Sequence, residues 1–132
     1  MHELIEAAVK ARDNAYAPYS KFKVGAAVIG VDGKIFSGCN IENASYGLTN
    51  CAERTAIFKA VSEGITEIKA IAIIADTVNP TAPCGACRQV IAEFGIDEII
   101  LCNIKGEHKI VSLDELLPFS FKKNDLNGDD II

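Results

Sequence analysis

The chain has no basic stripe. Lys21 and Lys23 are its nearest approach to one, and 13 lysines and arginines against 18 acids leave a net charge of −5. A polynucleotide binder replaces condensed counterions with clustered positive charge, so no nucleic-acid partner is expected. No stretch approaches the roughly 18 apolar residues of a membrane span, so no membrane partner is expected either. Met1-His2-Glu3-Leu4-Ile5-Glu6 lacks the basic-then-apolar order of a secretory leader. A cytoplasmic location is the expectation, and the five cysteines then favour metal or catalytic use over disulfides. The two histidines, His2 and His108, fall near a terminus and in a turn, and neither is a good ligand candidate. Internal repeats and low-complexity runs are also missing.

What is present suits one domain over residues 1–132, with 49% apolar residues for its core. Leu4, Ala8, Ala11 and Ala15 recur at helical spacing and predict a helix over residues 3–15, ended by Pro18. Residues 22–31 and 34–40 read as strands joined through the hairpin signal Asp32-Gly33, followed by a polar loop over 41–50. A second helix is predicted over 51–63, with Ala52, Ala56 and Ala60 on one small-residue face and Gly64 as its stop. The apolar run 69–75 reads as a strand buried on both faces. A helix over 84–94 and strands over 98–102 and 108–111 follow, then a short helix over 112–117 ended by Pro118. From about residue 122 the chain is polar and is expected to fray. The βαβ unit formed by 69–75, 84–94 and 98–102 predicts a parallel strand pair in a mixed sheet covered by helices.

The chemistry is concentrated in Cys51-Ala52-Glu53 and Pro83-Cys84-Gly85-Ala86-Cys87. Three thiol ligands leave the fourth position of a tetrahedral zinc open, as catalytic sites do. Cys84 and Cys87 share a face on the first turn of their helix, and Cys51 sits at another helix start. Helix N-termini favour thiolates. Read alone, Cys84 and Cys87 also fit a redox pair or half of a zinc ribbon, and Glu53 fits a solvated helix-start acid. The ribbon lacks its second pair, and the redox reading leaves Cys51-Ala52-Glu53 unexplained. Cys39 and Cys102 are isolated and read as small buried hydrophobes.

This Cys-x-Glu followed by Pro-Cys-x-x-Cys is the pattern of zinc deaminases acting on nucleobases, and the chain resembles the cytidine deaminase superfamily there. Over about residues 3–121 it is similar to the small homotetrameric cytidine deaminases. The resemblance implies a three-layer α/β/α fold with a mixed five-stranded sheet. It implies one Zn2+ per chain on Cys51, Cys84 and Cys87, and hydrolysis of cytidine and 2′-deoxycytidine to the uridines with release of ammonia. Zinc lowers the pKa of its bound water to give the hydroxide that attacks C4, and Glu53 shuttles protons to N3 and then to the amine. Three thiolates over-neutralise the metal, and Arg54 is the residue that offsets their charge.

Substrate binding is implied for Asn40 and Glu42 on the ribose and for Phe22 on the pyrimidine. Carbonyls near Ala52 and Pro83 are candidates to accept from the amine. In Leu116-Leu117-Pro118-Phe119-Ser120-Phe121, the last aromatic is implied to reach a neighbouring subunit's site, giving a homotetramer with composite active sites. Composition alone leaves Asn40 and Glu42 as a polar turn bonded to its own backbone, and Phe121 as an interface or a core cap. The alternatives are a related aminopyrimidine deaminase, such as one for blasticidin S, and a non-catalytic zinc-binding module.

Overall fold

The computed structural model describes residues 1–127. The order is α1 (His2–Arg12), β1 (Val24–Gly30), β2 (Ile35–Cys39), a 3₁₀ turn (Tyr46–Leu48), α2 (Ala52–Ser62), β3 (Ile68–Ala75), α3 (Gly85–Glu93), β4 (Glu98–Asn103), β5 (His108–Val111), α4 (Leu113–Leu116) and α5 (Lys123–Asn127). The five strands form one sheet in the order β2-β1-β3-β4-β5. The expected hairpin β1–β2 is antiparallel and the expected pair β3–β4 is parallel; β1–β3 and β4–β5 are antiparallel.

Side-chain alternation along the strands divides the core in two. Ala26, Val28, Ile71, Ile73, Ile99 and Leu101 face α2, α3 and α4. Ala27, Ala70, Ala72, Ile74 and Ile100 face Leu4 and Ala8 of α1. This gives three layers, α1, the sheet, and the group α2, α3 and α4.

Ala52, Ala56 and Ala60 are fully buried and let α2 lie close to the sheet. Gly38 makes the same allowance from β2, since a Cβ there would stand 2.6 Å from the Ala56 backbone nitrogen and 2.8 Å from Thr55 Cβ.

Two boundaries differ from the expectation by more than one residue, each for a tertiary reason. The helix predicted to residue 15 ends at Arg12, because Tyr16 N–H bonds the Asn40 carbonyl at 2.9 Å and draws the chain toward the loop after β2. Strand β1 begins at Val24 rather than Phe22, because the Asn40 side chain supplies ladder-like bonds there. Its Nδ2 donates to the Phe22 carbonyl at 2.7 Å, and its Oδ1 accepts from Val24 N–H at 2.8 Å. The polar segment expected to fray holds α5, with Lys122 N–H bonded to Asp125 Oδ2 at 2.8 Å; residues 128–132 of that segment lie outside the described residues.

Gly38→Ala should push α2 from β2 and lower unfolding free energy by about 1–3 kcal/mol. Urea denaturation checks this as a lower midpoint at unchanged slope.

Candidate metal centre and active site

Cys51 and Cys84 occupy the N-caps of α2 and α3, both with extended backbone, and neither thiol caps its own helix. The free donors of two first turns therefore lie near the sulfurs, where partial positive charge favours thiolate. Cys87 is one turn into α3 and buried. The three sulfurs lie within 4.8 Å of one another, with Cys51 and Cys84 3.6 Å apart. That is too far for a disulfide, and all three are free thiols. Zinc–sulfur bonds of about 2.3 Å at tetrahedral angles put sulfurs about 3.8 Å apart, so the donor set and its spacing fit zinc.

Charge in the cluster is divided unequally. The Cys51 thiol is held down at about 5, chiefly by a hydrogen bond from Cys87, with Arg54 adding to the effect. The Cys87 thiol is pushed up, first by making that bond and then by burial. Cys51 is therefore the more readily ionised of the two, and metal binding would displace the proton that Cys87 keeps.

Arg54 Nη2 donates to Cys51 Sγ at 3.4 Å. The thiol of Cys51 raises the Arg54 pKa further, and Cys87 acts in the same sense. Arg54 Nε is buried without a partner among the described residues. A buried donor without a partner is costly.

Glu53 follows in the first turn of α2 and is 4% exposed. Burial is the main reason its carboxyl is raised to about 7, and the neighbouring Cys51 charge adds to the rise. Because Cys51 is an N-cap with extended backbone, it escapes the rule that helix neighbours two apart face different ways.

A cavity of about 260 Å³ joins these groups, its lining including Phe22, Asn40, Glu42, Cys51, Glu53 and Cys84. Ala52 also lines it. A larger cleft of about 700 Å³ lies by Val31, Glu67, Phe94 and Lys122, at the opposite end of the strands. It contains no thiol, and the chemistry assigns the site to the smaller cavity.

The polar residues on the wall are already engaged. Asn40 spends one donor on the Phe22 carbonyl and one acceptor on Val24 N–H, so it bonds a distant segment and not the backbone of its own turn. Glu42 accepts from Tyr19 and Ser20 N–H at 3.0 and 3.1 Å and from the Ser20 hydroxyl. The Pro83 carbonyl accepts from Arg88 Nε at 2.9 Å. Phe121 is absent from the cavity wall of its own chain. Its side chain is 57% exposed, and its carbonyl accepts from Gln89 Nε2 at 2.8 Å.

Cys102 is buried and its thiol is raised to about 11 by burial, so it stays protonated. Ser20, Thr49, Asn50 and Thr81 line the cavity without having been singled out in the sequence. Ser20 lies two positions before Phe22, and only that proximity could have pointed to it.

The model of the cytidine and deoxycytidylate deaminase zinc-binding region matches residues 1–103. The chain belongs to this family. It is 55% identical over 96% of its length to a cytidine deaminase of Sporosarcina psychrophila, covering 95% of that protein. It is 54% identical over 94% of its length to one from Halalkalibacterium halodurans, covering 96% of it. Its fold superposes on a crystal structure of cytidine deaminase from Burkholderia pseudomallei with a TM-score of 0.88, at 56% identity, covering 91% of this chain and 98% of that one. Among the described residues no helix is long and apolar enough to cross a membrane.

Zinc added to metal-free protein should bind at one per chain and raise the melting temperature. Cys84→Ala should abolish both effects. Atomic emission on gel-filtered protein and a parallel thermal scan measure them.

Proposed function

We propose that the protein is a zinc-dependent hydrolase that converts cytidine and 2′-deoxycytidine to uridine and 2′-deoxyuridine with release of ammonia, as a step of pyrimidine salvage. A single deaminase domain spanning residues 1–132 carries the reaction, and its place is the cytoplasm. The observation behind this reading is the buried Glu53 carboxyl, raised to about 7 beside three clustered thiols in a cavity walled by Phe22 and Glu42. High identity to cytidine deaminases over nearly the whole chain supports it.

Cys51, Cys84 and Cys87 would hold the zinc, which when bound acidifies water to a nucleophile near neutral pH. At C4 of the base a C–O bond forms and the C–N bond to the amine breaks. Glu53 accepts the proton released by water, passes it to N3 and then serves the departing amine. A carboxyl poised near neutrality can perform both halves of that exchange. Arg54 donates to Cys51 Sγ and would offset the thiolate charge on a bound zinc, keeping it electrophilic.

Phe22 packs against the pyrimidine, and Asn40 and Glu42 receive the ribose through the bonding capacity their backbone contacts leave free. The Ala52 backbone accepts from the substrate amine. Phe121, exposed and absent from the wall of its own cavity, completes the site of a neighbouring subunit in a homotetramer.

Glu53→Gln should keep zinc at one per chain and lose turnover by at least about a hundredfold. Ultraviolet absorbance with cytidine, deoxycytidine, deoxycytidine monophosphate and blasticidin S, matched to ammonia release, tests the substrate. Loss of the cytosine band with the two free nucleosides is expected. Reaction with blasticidin S alone would transfer the assignment to that substrate. A zinc-loaded protein that deaminates none of the four would be a binding module.

A further inference from the structure

Lys21 has φ of 62°, a left-handed conformation that a non-glycine residue holds only under constraint. Its neighbours supply the constraint. Tyr19 and Ser20 N–H both donate to Oε1 of Glu42, at 3.0 and 3.1 Å. Successive amides in such a turn form an anion cradle, and the anion here is the chain's own carboxylate. Ser20 Oγ bonds Oε2 of the same group, and also accepts from Phe22 N–H at 3.0 Å.

The direction of the hydroxyl follows from donor counting. Phe22 N–H can only donate, so it occupies a lone pair of Ser20 Oγ. The one hydroxyl hydrogen is then left for Glu42. Three of the roughly four acceptor directions of that carboxylate are filled by the loop. Ser20, Phe22 and Glu42 all line the cavity. The Ser20 hydroxyl is also the largest reason the Glu42 carboxyl is held below its usual range.

We propose that Ser20 is a positioning residue for substrate, whose hydroxyl fixes the Glu42 carboxylate so that its remaining acceptor direction takes one ribose hydroxyl. The proposal rests on the nucleoside reading above. It makes Glu42 a preset acceptor, whose geometry is settled before substrate arrives. Because the contact is equal in bound substrate and transition state, its loss should appear in KM and spare kcat.

Steady-state kinetics on zinc-quantified protein test this with Ser20→Ala, Glu42→Ala, the double variant and Ser20→Thr. Cytidine and 2′,3′-dideoxycytidine serve as substrates, the latter also as a competitor where it turns over slowly. Ser20→Ala should raise KM for cytidine about 3–10-fold with kcat within about twofold. That penalty should shrink below about twofold in the Glu42→Ala background and with the dideoxy compound. Ser20→Thr keeps the hydroxyl and should restore KM to within about twofold.

An unchanged KM in Ser20→Ala overturns the proposal. So does a penalty of equal size without Glu42 or without the sugar hydroxyls, which would make Ser20 a loop-shaping residue only. A threonine variant that melts like the unaltered protein yet keeps the alanine penalty overturns it as well. Turnover of cytidine by the unaltered protein is scored separately: its absence removes the deaminase reading and this proposal together, whereas its presence leaves the ratio of penalties to judge Ser20.

Discussion

Two helix N-termini must meet at one point, and the rest of the structure is arranged around that requirement. The helix α3 follows β3, so it starts at the C-terminal end of that strand. The helix α2 follows β2, which is antiparallel to β1, and β1 is antiparallel to β3. Two reversals restore the original direction, so β2 and β3 run the same way and both helices start at the same end of the sheet. Both also pack on the same face, since their buried residues share one core cluster. Cys51 and Cys84, 33 positions apart in the chain, come within 3.6 Å as a result.

That meeting depends on close packing. A helix whose N-terminus must lie near a neighbour cannot stand off the sheet on large side chains. Ala52, Ala56 and Ala60 keep α2 near the strands, and the missing Cβ of Gly38 removes the last obstacle on β2. Bulk is placed elsewhere, in the isoleucines of β3 and β4 that fill the middle of the molecule. Densely packed interiors deform little, which holds the cluster geometry before any metal arrives.

Electrostatics at the site follows from the same crowding. Burial raises Glu53, and the contact between Cys51 and Cys87 lowers the first thiol while raising the second. Arg54 is the local cation, with one donor engaged and another buried without a partner. Three sulfurs within 4.8 Å of one another beside this cation are consistent as a ligand set. The outer wall is organised differently: Glu42 lines the cavity, and a loop in which Lys21 is left-handed supplies donors that hold its carboxyl below the usual range, the Ser20 hydroxyl first.

Much of this was legible in one dimension because its physics is local. The spacing of Cys84 and Cys87 is a one-turn spacing, the alanines of α2 recur at helical period, and the run 69–75 is too apolar to face water. Those patterns named Cys84 and Cys87, the crossover unit and the parallel pair, while Cys51 and Glu53 were named by the Cys-x-Glu motif and its resemblance to zinc deaminases. Other features were not legible because they depend on contacts between segments far apart in sequence. Asn40 trims β1 and α1 from outside both, Arg88 reaches the carbonyls of Pro83 and Leu116, and the Tyr19 and Ser20 amides find Glu42 across the mouth of the cavity. The sequence by itself determined which atoms are available for the chemistry. Tertiary structure alone decided that Cys51 joins the other two sulfurs, because strand direction and sheet order set that distance and neither is encoded at any single position.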